Sequence, residues 1–271
     1  MPEMPNGTVQ LSLSDGVATI RLDRPDTLNS MNNDLMDDIR SGIEQAEADP
    51  AIGAVVLTGT GRGFCAGADL NTVGSSPDAE HGGGGGSAVT DGMDNHFNPT
   101  MRAIKECSVP TVARINGVAA GGGLGLALAC DVAVAAESAF FVATFGPRLG
   151  IVPDLGTTWS LPNKIGVGRA RAMAMLGERI SADKAHEWGM IYSVVPDADL
   201  DAEVARVTDV LKVTSGQAMQ RIRSSIESAS IRSFSEQLDV ERDHQAVLIP
   251  MNMLEGATAF LEKREPNFRA E

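Results

Sequence analysis

Two glycine-rich segments decide the fold that this sequence predicts: residues 63–70 (GFCAGADL) and residues 116–123 (NGVAAGGG). Each lies next to a β-rich run and ahead of helix-forming residues, so each predicts a junction from strand through turn to helix. Small residues there allow backbone N–H groups near a helix N-terminus to approach a ligand and stabilise an oxyanion. The alternative is that the glycines only permit tight packing of a helix against a strand.

The flanking sequence alternates between strand-like and helix-like runs. Apolar alternation on both sides of Asp15-Gly16 predicts a β-hairpin, and a helical apolar pattern starts near Asn33 and stops at Asp49-Pro50. This alternation predicts a layered α/β core with right-handed crossovers. The predicted strands span residues 9–13, 17–22, 54–58, 111–115 and 132–136, and a buried helix spans residues 124–130.

The pattern divides the chain into two regions. Residues 1–196 carry the α/β alternation, whereas residues 197–271 are purely helical, with helices predicted at 200–211, 216–226, 234–248 and 253–263. Residues 71–99 interrupt the alternation and include five consecutive glycines, whose backbone entropy predicts a mobile loop. This loop is either a cover for an active site or a surface insertion without a role.

The composition excludes several classes of protein. A chain of 271 residues with 43% hydrophobic and 21% charged residues is globular rather than disordered. Its 22 Lys and Arg against 36 Asp and Glu give a net charge of −14, which argues against nucleic acid or an anionic membrane as a partner. The longest uncharged apolar run, residues 115–130, is shorter than a membrane helix. Three cysteines, an odd number, fit reduced thiols, so we expect a cytoplasmic protein.

Several nucleotide-binding and catalytic motifs are absent. Residues 59–63 (GTGRG) are followed by Phe64, so the dinucleotide fingerprint G-x-G-x-x-G fails, and neither a P-loop nor a G-x-S-x-G elbow occurs. The histidines lack the spacing of metal ligands, so we expect no metal site. They are His81, His96, His186 and His244.

Five segments, in order along the chain, resemble the enoyl-CoA hydratase/isomerase (crotonase) superfamily. Residues 22–31 (LDRPDTLNSM) resemble its N-R-P-x-x-x-N-A segment, and residues 64–70 match its F-x-A-G-A-D-[LI] signature. Residues 116–131 match its N-G-x-x-x-G-G-G segment followed by C-D. Residues 179–189 resemble its R-I-S-A-x-x-A-x-x-x-G pattern, and residues 259–264 resemble its F-x-E-K-R tail.

The resemblance implies a spiral of ββα units, a C-terminal helical trimerisation region, and a homotrimer or a dimer of trimers. It also implies an acyl-CoA thioester substrate, with coenzyme A as part of the substrate and no further cofactor. By motif position, the backbone N–H groups of Ala68 and Gly122 form the oxyanion hole that stabilises the thioester enolate. The positions that match substrate-binding segments are Arg24, Ala66, Gly67, Ala68, Asp69, Leu70, Gly122, Phe145 and Lys263.

The chain lacks both glutamates with which hydratases of this family add water. Gly125 occupies one of the two positions, and the other falls close to Phe145. Water addition requires a base for water and an acid for the α-carbon, and each group contributes typically about 10²–10⁴ in rate. Efficient hydration is therefore not expected.

Asp154 is the candidate proton carrier. It lies in residues 149–159 (LGIVPDLGTTW), which resemble the L-G-L-x-P-D-x-G-x-[ST]-W variant of ring-enoyl isomerases and hydratases of phenylacetate catabolism. One extra residue relative to that pattern falls within residues 145–149. An apolar pocket near Phe145 and Trp159 would raise the pKa of Asp154 and favour base chemistry near neutral pH. The alternative is that Asp154 caps the helix that follows Gly156.

Other charged or reactive residues have plainer alternatives. Arg24 and Lys263 are cations for the phosphates of coenzyme A, or else ordinary surface charges. Asp69 is expected to cap the helix after the first turn, and Asp131 is expected to satisfy local backbone donors. Cys65 lies beside the oxyanion turn and is expected to be a small packed residue rather than a nucleophile.

The favoured function is double-bond isomerisation of an enoyl-CoA, with Asp154 carrying the proton between two carbons. Hydration in the same oxyanion hole is the enzymatic alternative. A protein that binds acyl-CoA without catalysis is the other alternative, because both standard glutamates are missing.

Overall fold

The structure is a computed structural model that describes residues 2, 4–70 and 85–268. Its strands are β1 Val9–Ser14, β2 Val17–Leu22, β3 Ala54–Gly59, β4 Gly63–Cys65, β5 Thr111–Ile115, β6 Val118–Ala120, β7 Val132–Ala136, β8 Phe140–Val142, β9 Ile180–Ser181 and β10 Ser193–Val195. Its helices are α1 Asn33–Ala48, α2 Gly85–Gly92, α3 Asn98–Lys105, α4 Gly122–Ala129, α5 Thr157–Leu176, α6 Ala182–Glu187, α7 Leu200–Leu211, α8 Gly216–Ser228 and α9 Phe234–Glu262. Wider π-helical turns span Met93–Phe97 and Phe145–Leu149, and 3₁₀ turns span Pro25–Thr27, Asp197–Asp199 and Ala229–Ile231.

Two sheets form the core, and successive strands alternate between them. The larger sheet has the order β1-β2-β3-β5-β7-β10, and the smaller one has the order β4-β6-β8-β9. In the larger sheet, β3 pairs in parallel with β5, and β5 with β7. In the smaller sheet, β4 pairs in parallel with β6, and β6 with β8. Helices return the chain between these strand pairs. The predicted spiral of ββα units is therefore confirmed.

The larger sheet is covered on both faces, which explains why its central strand is a continuous apolar run. Val55 and Leu57 of β3 belong to the main hydrophobic core, which also contains the apolar face of α1. Val56, between them, belongs to a second core on the other face, which the apolar residues of α7 close. Because successive side chains of a strand point to opposite faces, one buried strand serves both cores.

The prediction of a loop at residues 71–99 is wrong for residues 85–99. Residues 71–84 lie outside the described residues, but residues 85–105 form α2, a π-helical turn and α3. Thr100 Oγ1 donates a hydrogen bond to the carbonyl of Met36, 2.8 Å away, and so ties α3 to α1. Tertiary contact of this kind stabilises α3, although Pro99 and the glycines before it favour a loop in the sequence pattern.

The last helix is longer than predicted, because α9 joins the two helices expected at 234–248 and 253–263 and continues through Pro250. A proline inside a helix removes one hydrogen bond and costs roughly 3 kcal/mol. The cost is local, and the start of α9 is secured by a capping box between Ser233 and Glu236. Among the described helices, none combines the length and the apolar character of a membrane span.

The helical C-terminal region is joined to the core by an ion pair between Arg223 of α8 and Asp131. The guanidinium donates to both carboxylate oxygens of Asp131 at 2.6 Å, and a third donation reaches the carbonyl of Cys107 at 2.8 Å. Asp131 also accepts a hydrogen bond from the backbone N–H of Thr111 at 2.9 Å, as expected from the sequence. Both side chains of the pair are largely buried, with 11% and 22% of their surface exposed.

We expect Arg223→Met to lower the free energy of unfolding by roughly 2–3 kcal/mol, because it leaves the Asp131 carboxylate largely buried without its cation. Urea denaturation measures the loss. Arg242→Met is the matched control, since Arg242 pairs with Asp239 on the exposed surface of α9 and its loss should leave the urea midpoint unchanged. Equal midpoints for the two variants would contradict this role of Arg223.

Candidate active site

The two glycine-rich turns lie side by side because β4 and β6 pair in parallel, with Gly63 opposite Val118 and Cys65 opposite Ala119. Parallel strands end at the same edge of a sheet, so the turns that follow them leave the sheet together. A Cβ atom built on Gly67 would lie 2.9 Å from the carbonyl oxygen of Ala120 and 3.4 Å from the amide nitrogen of Gly122. Gly67 also has a φ of +97°. Only glycine fits at this position, since it combines a left-handed backbone with close approach to the second turn.

The side-chain amides of Asn29, which is buried, and of Asn116, which is partly buried, hold the start of β4. Asn29 Nδ2 donates to the carbonyl oxygen of Gly63 at 2.9 Å, and Asn116 Nδ2 donates to the same oxygen at 3.1 Å. Asn116 also accepts a hydrogen bond from the backbone N–H of Gly59 at 3.2 Å. The asparagines of the two family segments are therefore structural, because they fix the start of the short strand whose end carries Ala68.

The backbone N–H of Ala68 is directed away from its strand-like partner, Met31. Met31 N–H donates to the carbonyl of Gly67 at 2.8 Å, and Asp69 N–H donates to the carbonyl of Met31 at 2.8 Å, which makes a parallel bridge between Met31 and Ala68. Such a bridge uses the groups that flank Ala68, so its own N–H points to the other side. That side lines a cavity.

The backbone N–H of Gly122 lies at the first position of α4. The first N–H groups of a helix have no partner within the helix. The preceding amide is used differently, because Gly121 N–H donates to the carbonyl of Val142 at 2.9 Å. Gly122 therefore presents an N–H at the positive end of the helix dipole, and its nitrogen lies 3.4 Å from a Cβ atom built on Gly67, the residue before Ala68.

Both amides border a cavity of about 360 Å³, a size typical of small-molecule sites. Its walls are largely apolar. It contains seven of the site residues that the sequence predicts, and these are Ala66, Gly67, Ala68, Leu70, Gly122, Phe145 and Asp154. Sequence reasoning missed the others, which are Met31, Phe97, Gly121, Thr144, Arg148, Leu149, Ile151 and Leu155.

Asp154 reaches the cavity from a strained turn. Leu155 has a φ of +49° and Gly156 a φ of +74°, so two successive residues adopt the left-handed conformation. A non-glycine residue in this region costs on the order of 1 kcal/mol and is typical of functional sites. The turn then enters α5, where the backbone carbonyl of Asp154 accepts a hydrogen bond from Thr157 N–H at 2.9 Å.

The carboxylate of Asp154 does not cap this helix. The N-cap residue is Gly156, and among the described residues no side chain caps the helix. Oδ1 of Asp154 is buried, and in the part of the chain that the structure describes it has no hydrogen-bond partner. Burial raises the pKa of Asp154, and a hydrogen bond from its own backbone N–H opposes this only in part. A carboxylate with a raised pKa suits general acid–base chemistry.

The apolar surroundings of Asp154 differ from the prediction in one residue. Phe145 is buried and lines the cavity, as expected. Trp159 does not line it, because it lies on the outer side of α5 with 48% of its surface exposed. The Nζ atom of Lys105 lies 5.1 Å from the centre of the Trp159 ring. The residue that completes the apolar wall is Phe97, at the end of the first π-helical turn.

Arg24 and Asp69 bind each other beside the first turn. Arg24 Nη2 lies 2.8 Å from Asp69 Oδ2, and the same guanidinium donates to the carbonyl of Ser30. Neither residue lines the cavity. The ion pair holds Asp69, which follows Gly67 by two residues, and so stabilises this turn without contacting the cavity. The residues that follow Leu70 lie outside the described part of the chain, so the expected capping by Asp69 stays a prediction, as does binding of coenzyme A by Arg24.

Lys263 and Cys65 have no contact with the cavity. Lys263 is exposed at the C-terminal end of α9, with a φ of +57°, and its role toward coenzyme A stays a prediction. Cys65 is fully buried, and burial raises the pKa of its thiol to about 12. A thiol with this pKa is protonated at neutral pH, so Cys65 is not a nucleophile. Within the described residues, no cluster of His, Cys, Asp and Glu could hold a metal ion.

Gly125, at the position of a family glutamate, leaves no room for a side chain. A Cβ atom there would lie 2.6 Å from the carbonyl oxygen of Leu155 and 2.9 Å from Thr157 Oγ1. The turn that carries Asp154 therefore occupies the space that a glutamate at residue 125 would need. The loss of that glutamate and the placement of Asp154 are two consequences of one packing arrangement.

Comparisons with known proteins agree with this fold. The chain matches the sequence profile of the enoyl-CoA hydratase/isomerase family over residues 12–271. It is 40% identical over 256 residues to a protein named 1,2-epoxyphenylacetyl-CoA isomerase from Escherichia coli (strain K12), which covers 93% of this chain and 95% of that one. It is 35% identical over 263 residues to a probable enoyl-CoA hydratase from Rhodobacter capsulatus, which covers 96% of this chain and 97% of that one.

A solved structure gives the same result. The crystal structure of an enoyl-CoA hydratase from Bacillus anthracis has a TM-score of 0.87 and 31% identity, and the match covers 97% of this chain and 100% of that one. This chain therefore belongs to the enoyl-CoA hydratase/isomerase family. It is an enzyme that processes acyl-CoA thioesters.

We expect Gly125→Glu, which restores one family glutamate, to destabilise the fold without creating hydratase activity. The new Cβ atom would overlap the backbone of Leu155, and overpacking of this kind costs roughly 1–3 kcal/mol. Urea denaturation and a 2-enoyl-CoA hydration assay measure the two effects. Gly168→Glu is the control, since a Cβ atom at Gly168 of α5 meets nothing within 4 Å. A stable Gly125→Glu variant that hydrates 2-enoyl-CoA would contradict this account.

Proposed function

We propose that this enzyme is an isomerase that moves a carbon–carbon double bond within an acyl-CoA thioester. The backbone N–H groups of Ala68 and Gly122 bind the thioester oxygen, and Asp154 carries the proton. The observation that supports this proposal is the carboxylate of Asp154, whose buried Oδ1 has no hydrogen-bond partner among the described residues and which lines the same cavity as Ala68 and Gly122.

The reaction begins when the carboxylate of Asp154 takes a proton from a carbon next to the double bond. The electron pair of that C–H bond moves into the conjugated system and places negative charge on the thioester oxygen. Each N–H donor to such an oxyanion is typically worth about 10²–10³ in rate. Asp154 then returns the proton to the carbon at the other end of the three-carbon unit, so the carboxylate is regenerated and no net atom is gained or lost.

Hydration is less well supported. It needs a second acid or base, and Asp154 is the only carboxylate among the described residues that line the cavity. A 1,3-proton shift needs just one group that both accepts and returns a proton. The raised pKa of Asp154 suits both halves of this cycle, because a carboxyl group near its pKa releases a proton as readily as it accepts one.

We further propose that the acyl group carries a ring. Phe97 and Phe145 line the same cavity, and their aromatic rings pack better against a planar ring than against a flexible acyl chain. The relative at 40% identity is named as an isomerase of a phenylacetyl-CoA derivative, which supports the same class of substrate. A cavity of about 360 Å³ has room for a six-membered ring.

We propose that the protein forms a homotrimer, or a dimer of trimers, through its C-terminal helices. Apolar side chains of α9 are exposed in the single chain, with Leu254 at 82% and Phe260 at 83%. An apolar surface of this kind is typical of a protein interface.

We also propose that the enzyme works in the reducing cytoplasm. Its three cysteines are free and buried, which supports this location.

We expect Asp154→Asn to lower kcat for 3-enoyl-CoA isomerisation by about 10²–10⁴, because the proton carrier is lost. Exchange of substrate α- and γ-protons in deuterated water should fall by the same factor, since it reports enolate formation without reference to the product. Glu137→Gln is the control, as Glu137 is an exposed carboxylate between β7 and β8 and should keep full activity. Undiminished exchange in Asp154→Asn would assign proton transfer to another group.

The pH dependence provides a separate test. Because burial raises the pKa of Asp154, the acid limb of kcat/KM should lie above the ordinary aspartate value of about 3.9, and activity should rise with pH through it. The raised pKa also means that ionisation favours the unfolded chain. The Tm of Asp154→Asn relative to the wild type should therefore increase as pH rises from about 3.9 and level off above the raised pKa.

An acid limb at or below about 3.9 would contradict the burial of the working carboxylate. So would a difference in Tm that stays constant over this range of pH.

A further inference from the structure

The π-helical turn Phe145–Leu149 contains the extra residue that the sequence shows relative to the family pattern. A π turn closes its hydrogen bonds from residue i to i+5, one residue more than an α-helix, so it accommodates an inserted residue without moving its ends. Here Phe145 is buried at one end, and at the other end Gly150 N–H donates to the carbonyl of Phe145, five residues earlier, and to that of Gly146. Turns of this kind occur frequently at functional sites.

The π turn brings Arg148 to the cavity. Its side chain is exposed, and no ion pair or hydrogen bond joins it to any described residue. The backbone that carries it is held by the end of α5, because a Cβ atom on Gly146 would lie 3.1 Å from the carbonyl of Ala174. Arg148 is therefore a cation with no partner in residues 2, 4–70 and 85–268, and it lies on a packed turn at the border of a largely apolar cavity.

The position of Arg148 relative to the reaction follows from the proposed mechanism. If the thioester oxygen lies at Ala68 and Gly122 and Asp154 reaches the carbons next to it, the acyl group must lie along the segment from residue 144 to 155. Arg148 belongs to that segment, whereas residues 66–70 belong to the turn expected to hold coenzyme A. The guanidinium is thus placed for the acyl group rather than for the phosphates.

We propose that Arg148 is a specificity-determining residue that hydrogen-bonds an oxygen atom on the acyl group, beyond the carbons that react. A purely hydrocarbon acyl group gives a guanidinium nothing to bind, whereas a hydroxyl, epoxide, carbonyl or carboxylate oxygen accepts a hydrogen bond from it. This inference rests on the proposed function, since it uses the placement of the thioester at the two amides.

The test compares binding of thioesters that cannot isomerise, so its outcome does not depend on proton transfer by Asp154. Calorimetry measures Kd for phenylacetyl-CoA, for its 2-, 3- and 4-hydroxy derivatives, and for free CoA and dephospho-CoA.

We expect Arg148→Met to lower the affinity for the tightest-binding hydroxyphenylacetyl-CoA roughly tenfold, because one hydrogen bond from an exposed side chain is lost. The affinities for phenylacetyl-CoA and free CoA should stay within twofold of the wild type. Arg148→Lys should restore part of the loss. Arg171→Met, which removes an exposed arginine of α5 away from the cavity, is the control and should change none of the constants.

Two results would overturn the proposal. If Arg148→Met lowers the affinity for all the thioesters and for free CoA equally, the guanidinium binds coenzyme A. If the affinity for dephospho-CoA is then unaffected, the phosphate that dephospho-CoA lacks is the group that Arg148 binds. Unchanged affinity for every ligand would show that Arg148 does not take part in recognition. The two proposals can be tested separately. Activity and proton exchange in Asp154→Asn test the proposed isomerisation, whereas these binding constants test only the role of Arg148.

Discussion

The parallel pairing of β4 and β6 is the constraint on which the active site depends. Each strand has only three residues, and neither turn could hold its amide in a defined direction alone. Pairing places both turns at one edge of the smaller sheet, and Gly67 lets them approach to van der Waals distance. The proposed oxyanion hole of Ala68 and Gly122 depends on this pairing, because N–H donors stabilise charge effectively when they are oriented before the substrate arrives.

The turn that carries Asp154 combines two unfavourable features on which the proposed proton transfer depends. Its backbone adopts the left-handed conformation at Leu155, and its carboxylate is buried with one oxygen unpaired among the described residues. Both features lower the stability of the fold, and the second raises the pKa of the group. The same turn packs on Gly125 and fills the space of the family glutamate. The proposed mechanism accordingly uses the single carboxylate of Asp154 in a largely apolar cavity.

Long elements were predictable from the sequence, and short ones were not. The hairpin of β1 and β2, the strands β3, β5 and β7, and the helices α1 and α7 have periodic apolar patterns over enough residues to be recognised. The strands β4 and β6 lie inside glycine-rich motifs and are too short to show alternation. Residues 85–105 and Pro250 misled the prediction, because packing on α1 and the length of α9 outweigh the local preferences of glycine and proline.

The sequence by itself determined the family, the two turns, and the candidates Ala68, Gly122 and Asp154, because these reside in contiguous motifs whose residue types are their own signal. It could not show that Phe97 and Arg148 belong to the same cavity, nor that Trp159 does not. These side chains come from separate turns of the spiral, and no local pattern relates them. Only the tertiary structure decided which residues surround the substrate, because a cavity is defined by the packing of distant segments.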